Sequence, residues 1–217
     1  MRSTFHQELE DLQQDILRMG TLVEERIAQA VQALADGDKA AAEAIIAGDD
    51  EIDRMQLDIE TRCFEIIATQ QPLATDLRIV GTAIKIVGDL ERMADHAVDI
   101  AKVTRRIGGE PLIKPLIDIP RMSEIALRMT RDALRAYVRR DPQAPEEMLK
   151  ADDEVDHLYS QVMRELLVYM MEDPRMIHQG MHLLFVAQHI ERVADHATNL
   201  GEAVIFMVSG ERHDLNQ

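Results

Sequence analysis

The segment GDLERMADHAVDIA, residues 88–101, returns one hundred positions later as QHIERVADHATNLG, residues 188–201. A second pair of segments shares an Asp-Asp-Glu-x-Asp pattern: GDDEIDRMQLDIE at residues 48–60 and ADDEVDHLYSQVM at residues 151–163. The matched segments occur in the same order in each half of the chain. This order indicates that a single structural unit of about 100 residues is present twice.

Apolar residues recur every three or four positions along both units, which is the spacing of amphipathic α-helices. No stretch shows the alternating pattern of a strand. The chain is therefore predicted to be all-α, with two tandem, pseudo-symmetric three-helix bundles made of six long helices. Pro and Gly residues place the helices at about residues 5–36, 45–71, 74–107, 117–140, 144–171 and 175–209. The predicted domains are residues 1–109 and 121–217, joined by the proline-rich linker EPLIKPLIDIP at residues 110–120.

The start of the second helix is ambiguous at Gly48. A glycine followed by Asp49 is compatible with a helix break and a new N-cap. The matching position of the second unit is Ala151, a strong helix former. The repeat therefore favours one continuous helix through both Asp49 and Asp152.

Composition excludes several classes of function. The chain has 217 residues, 40 of them acidic and 24 basic, for a net charge of −16. Nucleic-acid binding needs cationic side chains that neutralise phosphates, so an interaction with nucleic acid is not expected. The polar N-terminus does not resemble a signal peptide, and the apolar runs are too short to span a bilayer. With a single cysteine, Cys63, the chain is expected to be a soluble cytoplasmic protein without membrane insertion.

Four pairs of acidic residues stand four positions apart, and the repeat matches them between the two halves. Such a pair lies on one helix face, where like charges destabilise the helix by roughly 0.2–0.5 kcal/mol. Helix phase places the pairs beside the apolar stripe, so neighbouring helices are expected to bring them together along one groove. The pairs are Asp49 and Asp53, Glu91 and Asp95, Asp152 and Asp156, and Glu191 and Asp195.

Within each group of four, the carboxylates would repel one another. A bound cation would remove that repulsion. Oxygen-rich sites suit hard metal ions. Divalent or trivalent ions are therefore the expected cofactors: magnesium, calcium, manganese and iron suit oxygen ligands, and zinc is a further candidate. The competing interpretation is that these acids are the solvated face of acidic helices.

The histidines are treated apart from the acids. His182, His189 and His196 form a stripe that lies about 100–180° around the helix from Glu191 and Asp195, which separates them from that site. Only His96 and His196 recur between the halves, and packing, hydrogen-bonding or interface roles are favoured for them over metal ligation. The methionines, including Met170 and Met171, and Cys63 are expected to fill the core.

Together, the segments DDEID, ATDLRIV and DLERMADHAVDIA, followed by DDEVD and HIERVADHATNLGE, resemble the PhoU family of phosphate-transport accessory proteins. The resemblance covers essentially the whole chain. It implies paired three-helix bundles with surface metal clusters on acidic motifs. The first site would be Asp49, Asp53, Glu91 and Asp95, and the second Asp152, Asp156, Glu191 and Asp195. The halves differ in that Asp99 is matched by Asn199, so the first site is expected to carry one more acid than the second.

The resemblance also implies a function. PhoU proteins are cytoplasmic, often dimeric regulators that act between the phosphate ABC transporter and a sensor histidine kinase, and restrain phosphate uptake and the starvation response. The expected partners are thus the transporter's ATPase subunit, the kinase and a second copy of the chain. No P-loop or paired nucleophile and base is present, so a non-enzymatic adaptor is favoured. The alternative is a helical-bundle protein that stores metal or acts as a metalloenzyme, although the Glu-x-x-His pairs of di-iron bundles are missing.

Overall fold

The computed structural model describes residues 2–212 and Leu215, apart from the side chains of residues 2–4 and 144–147. It is all-α, as predicted, and the described residues contain no strand. A single turn of 3₁₀ helix, Pro174–Met176, precedes the last helix. The α-helices are α1 (Arg2–Asp36), α2 (Lys39–Ala47), α3 (Asp50–Gln70), α4 (Thr75–Ile107), α5 (Asp118–Arg139), α6 (Ala144–Glu172) and α7 (Ile177–Ser209).

These helices form two pseudo-symmetric three-helix bundles. In the first bundle, α1 and α4 pack against each other and against the α2–α3 segment; in the second, α5, α6 and α7 pack together. The bundles meet where α4 packs against α7 and α1 against α5. One hydrophobic core runs through both bundles, so they lie side by side.

Local sequence determines where several helices begin and end. The side chain of Asp38 accepts hydrogen bonds from the backbone N–H groups of Ala40 and Ala41, which caps the start of α2. Helix α4 ends at Gly108, whose φ of 78° lies in the left-handed region that glycine adopts without steric cost. Gly210 ends α7 in the same way.

The prediction of one continuous helix through both Asp49 and Asp152 is correct only for the second half. Asp152 lies inside α6, whereas a turn at Gly48 and Asp49 separates α2 from α3. The guanidinium of Arg26 lies where a side chain on residue 48 would be: a Cβ there would come within 2.2 Å of Arg26 Nη1. The same guanidinium pairs with Glu51 at 2.9 Å. Glycine thus leaves room for the Arg26 guanidinium beside the turn.

Burial follows the amphipathic pattern for most of the predicted core residues. Cys63 is fully buried, and burial raises the pKa of its thiol to about 12. Met170 is also buried, but Met171 is 82% exposed, so the prediction that both methionines fill the core is wrong for Met171. In residues 2–212 no helix is both long and apolar enough to cross a membrane.

The contact between the bundles has a regular register. Arg78 Nε donates to the backbone oxygen of Met207, His196 Nδ1 lies 2.9 Å from Asp89 Oδ1, and the Nδ1 atoms of His96 and His189 lie 3.2 Å apart. As the residue number rises along α4, it falls by the same amount along α7. The two helices are therefore antiparallel, with each PhoU-like signature segment directly against its copy.

Candidate metal centres

The first acid quartet consists of Asp49, Asp53, Glu91 and Asp95. Asp49 lies in the turn after α2 and Asp53 on the first turn of α3, while Glu91 and Asp95 lie one turn apart on α4. Burial raises the pKa of Asp49, and the carboxylates of Asp53 and Asp95 raise it further. Burial and then Asp95 raise the pKa of Glu91, with Asp53 and Asp49 adding to the effect. The structure thus brings together the four acids that the sequence predicted.

The second quartet, Asp152, Asp156, Glu191 and Asp195, lies between α6 and α7. Burial raises the pKa of Asp152 to about 6, with Asp156 and Asp195 contributing. Burial, followed by Asp195 and Asp156, raises the pKa of Glu191 to about 7. Burial is the larger cause of both shifts and the neighbouring carboxylates are the next, so the site disfavours a negative charge that a bound cation would neutralise.

Cations of the protein compensate the quartets only in part; Lys102 lowers the pKa of Asp49 and Asp95, yet both pKa values stay raised. Arg92 lies 3.7 Å from both Glu91 and Asp95, yet its side chain is 66% exposed, so solvent screens these contacts. Arg192 on α7 lowers the pKa of both Glu191 and Asp195. The donor chemistry, four carboxylates in each group, fits hard cations.

The quartets are not closed around one ion-sized point. Within residues 2–212, a single group of three potential ligand atoms lies within 4.8 Å of one another, and it belongs to His96, Asp99 and His189. Rotation of the carboxylate side chains would be required to enclose an ion in either quartet. If metal is bound, the named acids would hold it by oxygen ligands, and it would neutralise the charge that α3 and α4, or α6 and α7, bring together.

Histidines occupy the α4–α7 contact. The rings of His96 and His189 lie 5.2 Å apart between centroids, and the rings of His96 and His196 lie 5.8 Å apart. Burial, followed by the neighbouring His189 and His196, lowers the pKa of His96 to about 4, so this ring is neutral at neutral pH. Both histidines that recur between the halves therefore occupy an interface, as favoured from the sequence.

Two partners of these histidines were missed by sequence reasoning. Asp89 contacts His196, and Asp99 joins His96 and His189 while also raising the pKa of Asp95 in the first quartet. The repeat contains a signal for this, because Asp89 stands opposite His189 in the alignment of the halves and Asp99 opposite Asn199. Positions that differ between copies indicate where the pseudo-symmetric interface is chemically asymmetric.

Comparison with known proteins agrees with this architecture. The family described as the PhoU domain matches the chain twice, at residues 16–104 and 119–204, which together make up most of its length. This chain belongs to the PhoU family. A phosphate-specific transport system accessory protein PhoU homolog of Clostridium acetobutylicum is 43% identical over 99% of both chains. The homolog of Aquifex aeolicus is 44% identical, over 94% of this chain and 92% of that protein.

Solved PhoU structures share the fold. PhoU from Pseudomonas aeruginosa superposes with a TM-score of 0.89 at 36% identity, covering 95% of this chain and all of the other. The phosphate transport system regulatory protein PhoU from Streptococcus pneumoniae gives the same TM-score at 32% identity, over 97% and 99% of the two chains. The pairing of two three-helix bundles is therefore common to this PhoU protein and its relatives.

The crowded second quartet predicts a pH-dependent stability of the metal-free PhoU chain. Because the pKa of Glu191 is raised from 4.5 to about 7 in the folded state, its contribution to stability is fully present below pH 4.5 and is lost as pH rises from there through 7. Glu191→Gln should therefore raise the free energy of unfolding at pH 7.5 by about 1–2 kcal/mol, after allowance for solvent screening. In chelator-treated protein this corresponds to a Tm higher by about 2–8 °C.

The difference should narrow at pH 5.5 and close below about pH 4.5, where Glu191 is protonated in the unfolded chain as well as in the folded chain. Comparison at each pH with the parent protein cancels the opposite effect of the histidines, whose lowered pKa values favour unfolding in acid. Glu65→Gln, on the exposed face of α3, is the matched control and should leave Tm unchanged at both pH values. A Glu191→Gln protein with an unchanged Tm at pH 7.5 would contradict the crowding of this site.

Proposed function

We propose that this PhoU protein is a cytoplasmic regulator of phosphate uptake and a negative regulator of the phosphate-starvation response. It acts without catalysis, as an adaptor between the ATPase subunit of a phosphate ABC transporter and a sensor histidine kinase. The observation that carries the proposal is the match along nearly the whole chain to relatives named as accessory proteins of phosphate-specific transport.

Exposed apolar residues provide the docking surfaces that an adaptor needs. In the second bundle they lie at the end of α6 and the start of α7, on either side of the turn at Pro174: Leu167, Val168, Met171, Ile177 and Phe185. In the first bundle the corresponding region at the end of α3 and the start of α4 exposes Phe64, Leu73 and Leu77. Apolar groups exposed close together are typical of protein interaction sites. We call these the second and first apolar ends.

Two related ends on one rigid molecule suit contact with two different proteins, or with one partner and a second copy of the chain. A homodimer is part of the proposal. Metal bound by the quartets would fix α3 against α4 and α6 against α7, the helix pairs that carry the apolar ends. Metal occupancy would in this way bias which partner is held, through differential affinity of the two states.

The direct test is a pull-down with tagged protein from phosphate-replete cells of a strain that encodes both proposed partners. We expect the wild-type chain to retain the transporter ATPase subunit and the kinase, each detected by a specific antibody. The variant Leu167→Ser, Met171→Ser should lose one of them because it removes apolar contact area from the second apolar end. The control Phe64→Ser, Leu73→Ser changes the first apolar end and should leave that same partner bound. Failure of the wild-type chain to retain either partner would overturn the adaptor proposal.

A further inference from the structure

A second type of ligand set is present away from the acid quartets. His96 and Asp99, one turn apart on α4, meet His189 of α7, and each offers a ligand atom within 4.8 Å of the other two. His96 is only 9% exposed, and His189 is half-buried. Two imidazole nitrogens and one carboxylate oxygen thus converge at the contact between the bundles.

The distance between the two nitrogens suits a shared metal ion. The Nδ1 atoms of His96 and His189 are 3.2 Å apart. Two nitrogens bound to one tetrahedral zinc ion at 2.0–2.1 Å would be separated by about 3.3 Å. Both rings are therefore already spaced to bind one ion, in contrast to the carboxylates of the quartets.

We propose that His96, Asp99 and His189 bind one divalent transition-metal ion of the zinc type at the α4–α7 contact. Imidazole ligands favour zinc, cobalt, nickel and copper, whereas magnesium and calcium prefer oxygen donors. The site would differ in metal preference from the quartets and would tie the two bundles to each other. The ion would also take the place of the proton that the two imidazoles share in its absence. For His96 this revises the preference for packing drawn from the sequence.

The pseudo-symmetric position provides a built-in comparison. There His196 faces Asp89 at 2.9 Å, and the counterpart of Asp99 is Asn199. The pseudo-symmetric position therefore has one imidazole, whereas the proposed site has two. It also has the amide of Asn199 at the place where the proposed site has the carboxylate of Asp99. The proposal therefore predicts one such site per chain rather than two.

Two cations stand next to the site and limit its affinity. Lys102 Nζ lies 2.8 Å from Asp99 Oδ1, and Arg192 is near enough to lower the pKa of both His96 and His189. The second oxygen of Asp99 remains for a metal while Lys102 holds the first. Replacing Lys102 by Gln removes a competing charge, so it should strengthen metal binding, an effect opposite to that of losing a ligand.

Cobalt(II) and copper(II) are the probes for the test, added to the chelator-treated full-length chain. Four-coordinate cobalt absorbs strongly in the visible, whereas six-coordinate cobalt on carboxylates absorbs weakly. Copper bound by two imidazoles shows nitrogen splitting in its electron paramagnetic resonance spectrum. We expect both signatures in the wild-type protein. His189→Gln should abolish them and weaken cobalt binding by more than about 100-fold, and Asp99→Asn by about 10–100-fold, since even outer-shell changes cost that much.

His182→Gln is the matched control. His182 lies on the same helix, two turns earlier, and its ring contacts that of His178 at 4.5 Å, so this variant tests whether the copper signal arises from that second pair of imidazoles instead. The signals should survive in His182→Gln and in Asp89→Asn, and Lys102→Gln should tighten cobalt binding. Should His189→Gln fail to fold, Asp99→Asn decides, because the Asp99 side chain is 40% exposed. Signals that persist in Asp99→Asn with unchanged affinity, or that vanish in His182→Gln, would overturn the proposal.

Discussion

Deletion of the gene for this chain should leave phosphate-starvation promoters active in medium with excess phosphate. The proposed adaptor transmits the transporter's phosphate-replete state to the kinase, so its loss leaves the kinase signalling starvation. Coupling between two binding events is typically worth 1–3 kcal/mol, which predicts promoter activity about 5–150-fold above the parent strain. A promoter–reporter fusion in phosphate-rich culture measures the effect.

Epistasis gives this prediction its sharpest form. Deleting the kinase together with this gene should return promoter activity to the low level, because the adaptor acts only through the kinase. High promoter activity in the double-deletion strain would contradict the adaptor model. So would specific promoter DNA binding by the purified protein, which its net charge of −16 opposes.

Complementation with variants of the gene tests which parts of the protein are needed for repression. A plasmid copy of the wild-type gene should restore repression, and so should the His189→Gln variant if the histidine site only joins the bundles. The Leu167→Ser, Met171→Ser variant should not restore repression, since it lacks part of the second apolar end. Matched protein levels on immunoblots are the necessary control.

Most of the fold was accessible from sequence because the helix signals are local. Gly108 and Pro174 mark helix ends within a few residues of those in the structure, and the period of the apolar residues identified the buried faces. The turn at Gly48 was not predicted, because the match to Ala151 was given more weight than the local signal of a glycine followed by Asp49. In the structure the guanidinium of Arg26, from another helix, occupies the space beside the glycine. Comparison of the two copies was misleading there.

The candidate sites also differ in whether the sequence could predict them. The quartets were predicted because each is made of acid pairs on adjacent antiparallel helices of one bundle, a relation that sequence spacing and repeat order contain. The approach of His96 to His189 depends on how α4 crosses α7, which is set by packing between bundles. Helix phase was used to separate the histidines from the acids, but it carries no information about a partner in the other half.

Removing the acids of α4 and α7 from both quartets should remove most of the hard metal that the protein binds. The variant Glu91→Gln, Asp95→Asn, Glu191→Gln, Asp195→Asn keeps side-chain size and takes two carboxylates from each site. Changes outside a metal's ligand shell already weaken binding by 10–100-fold, so losing two ligands should cost more than about 100-fold. Manganese-to-protein ratio, measured by elemental analysis after dialysis against manganese, should fall from the wild-type value to near zero.

Helix content should remain unchanged, because these acids flank the core without filling it, and circular dichroism checks this. The control variant removes four negative charges from exposed positions outside both quartets: Glu10→Gln, Glu25→Gln, Asp58→Asn and Glu65→Gln. It lowers the general attraction for cations equally, so its retained manganese would assign binding to the quartets rather than to net charge. The zinc-to-protein ratio of the quartet variant should fall less than its manganese-to-protein ratio, since this variant keeps His96, Asp99 and His189. An unchanged manganese-to-protein ratio in the quartet variant would show that the ligand assignment is wrong. An equal loss of manganese in both variants would show that the quartet acids are solvated side chains that attract cations only nonspecifically.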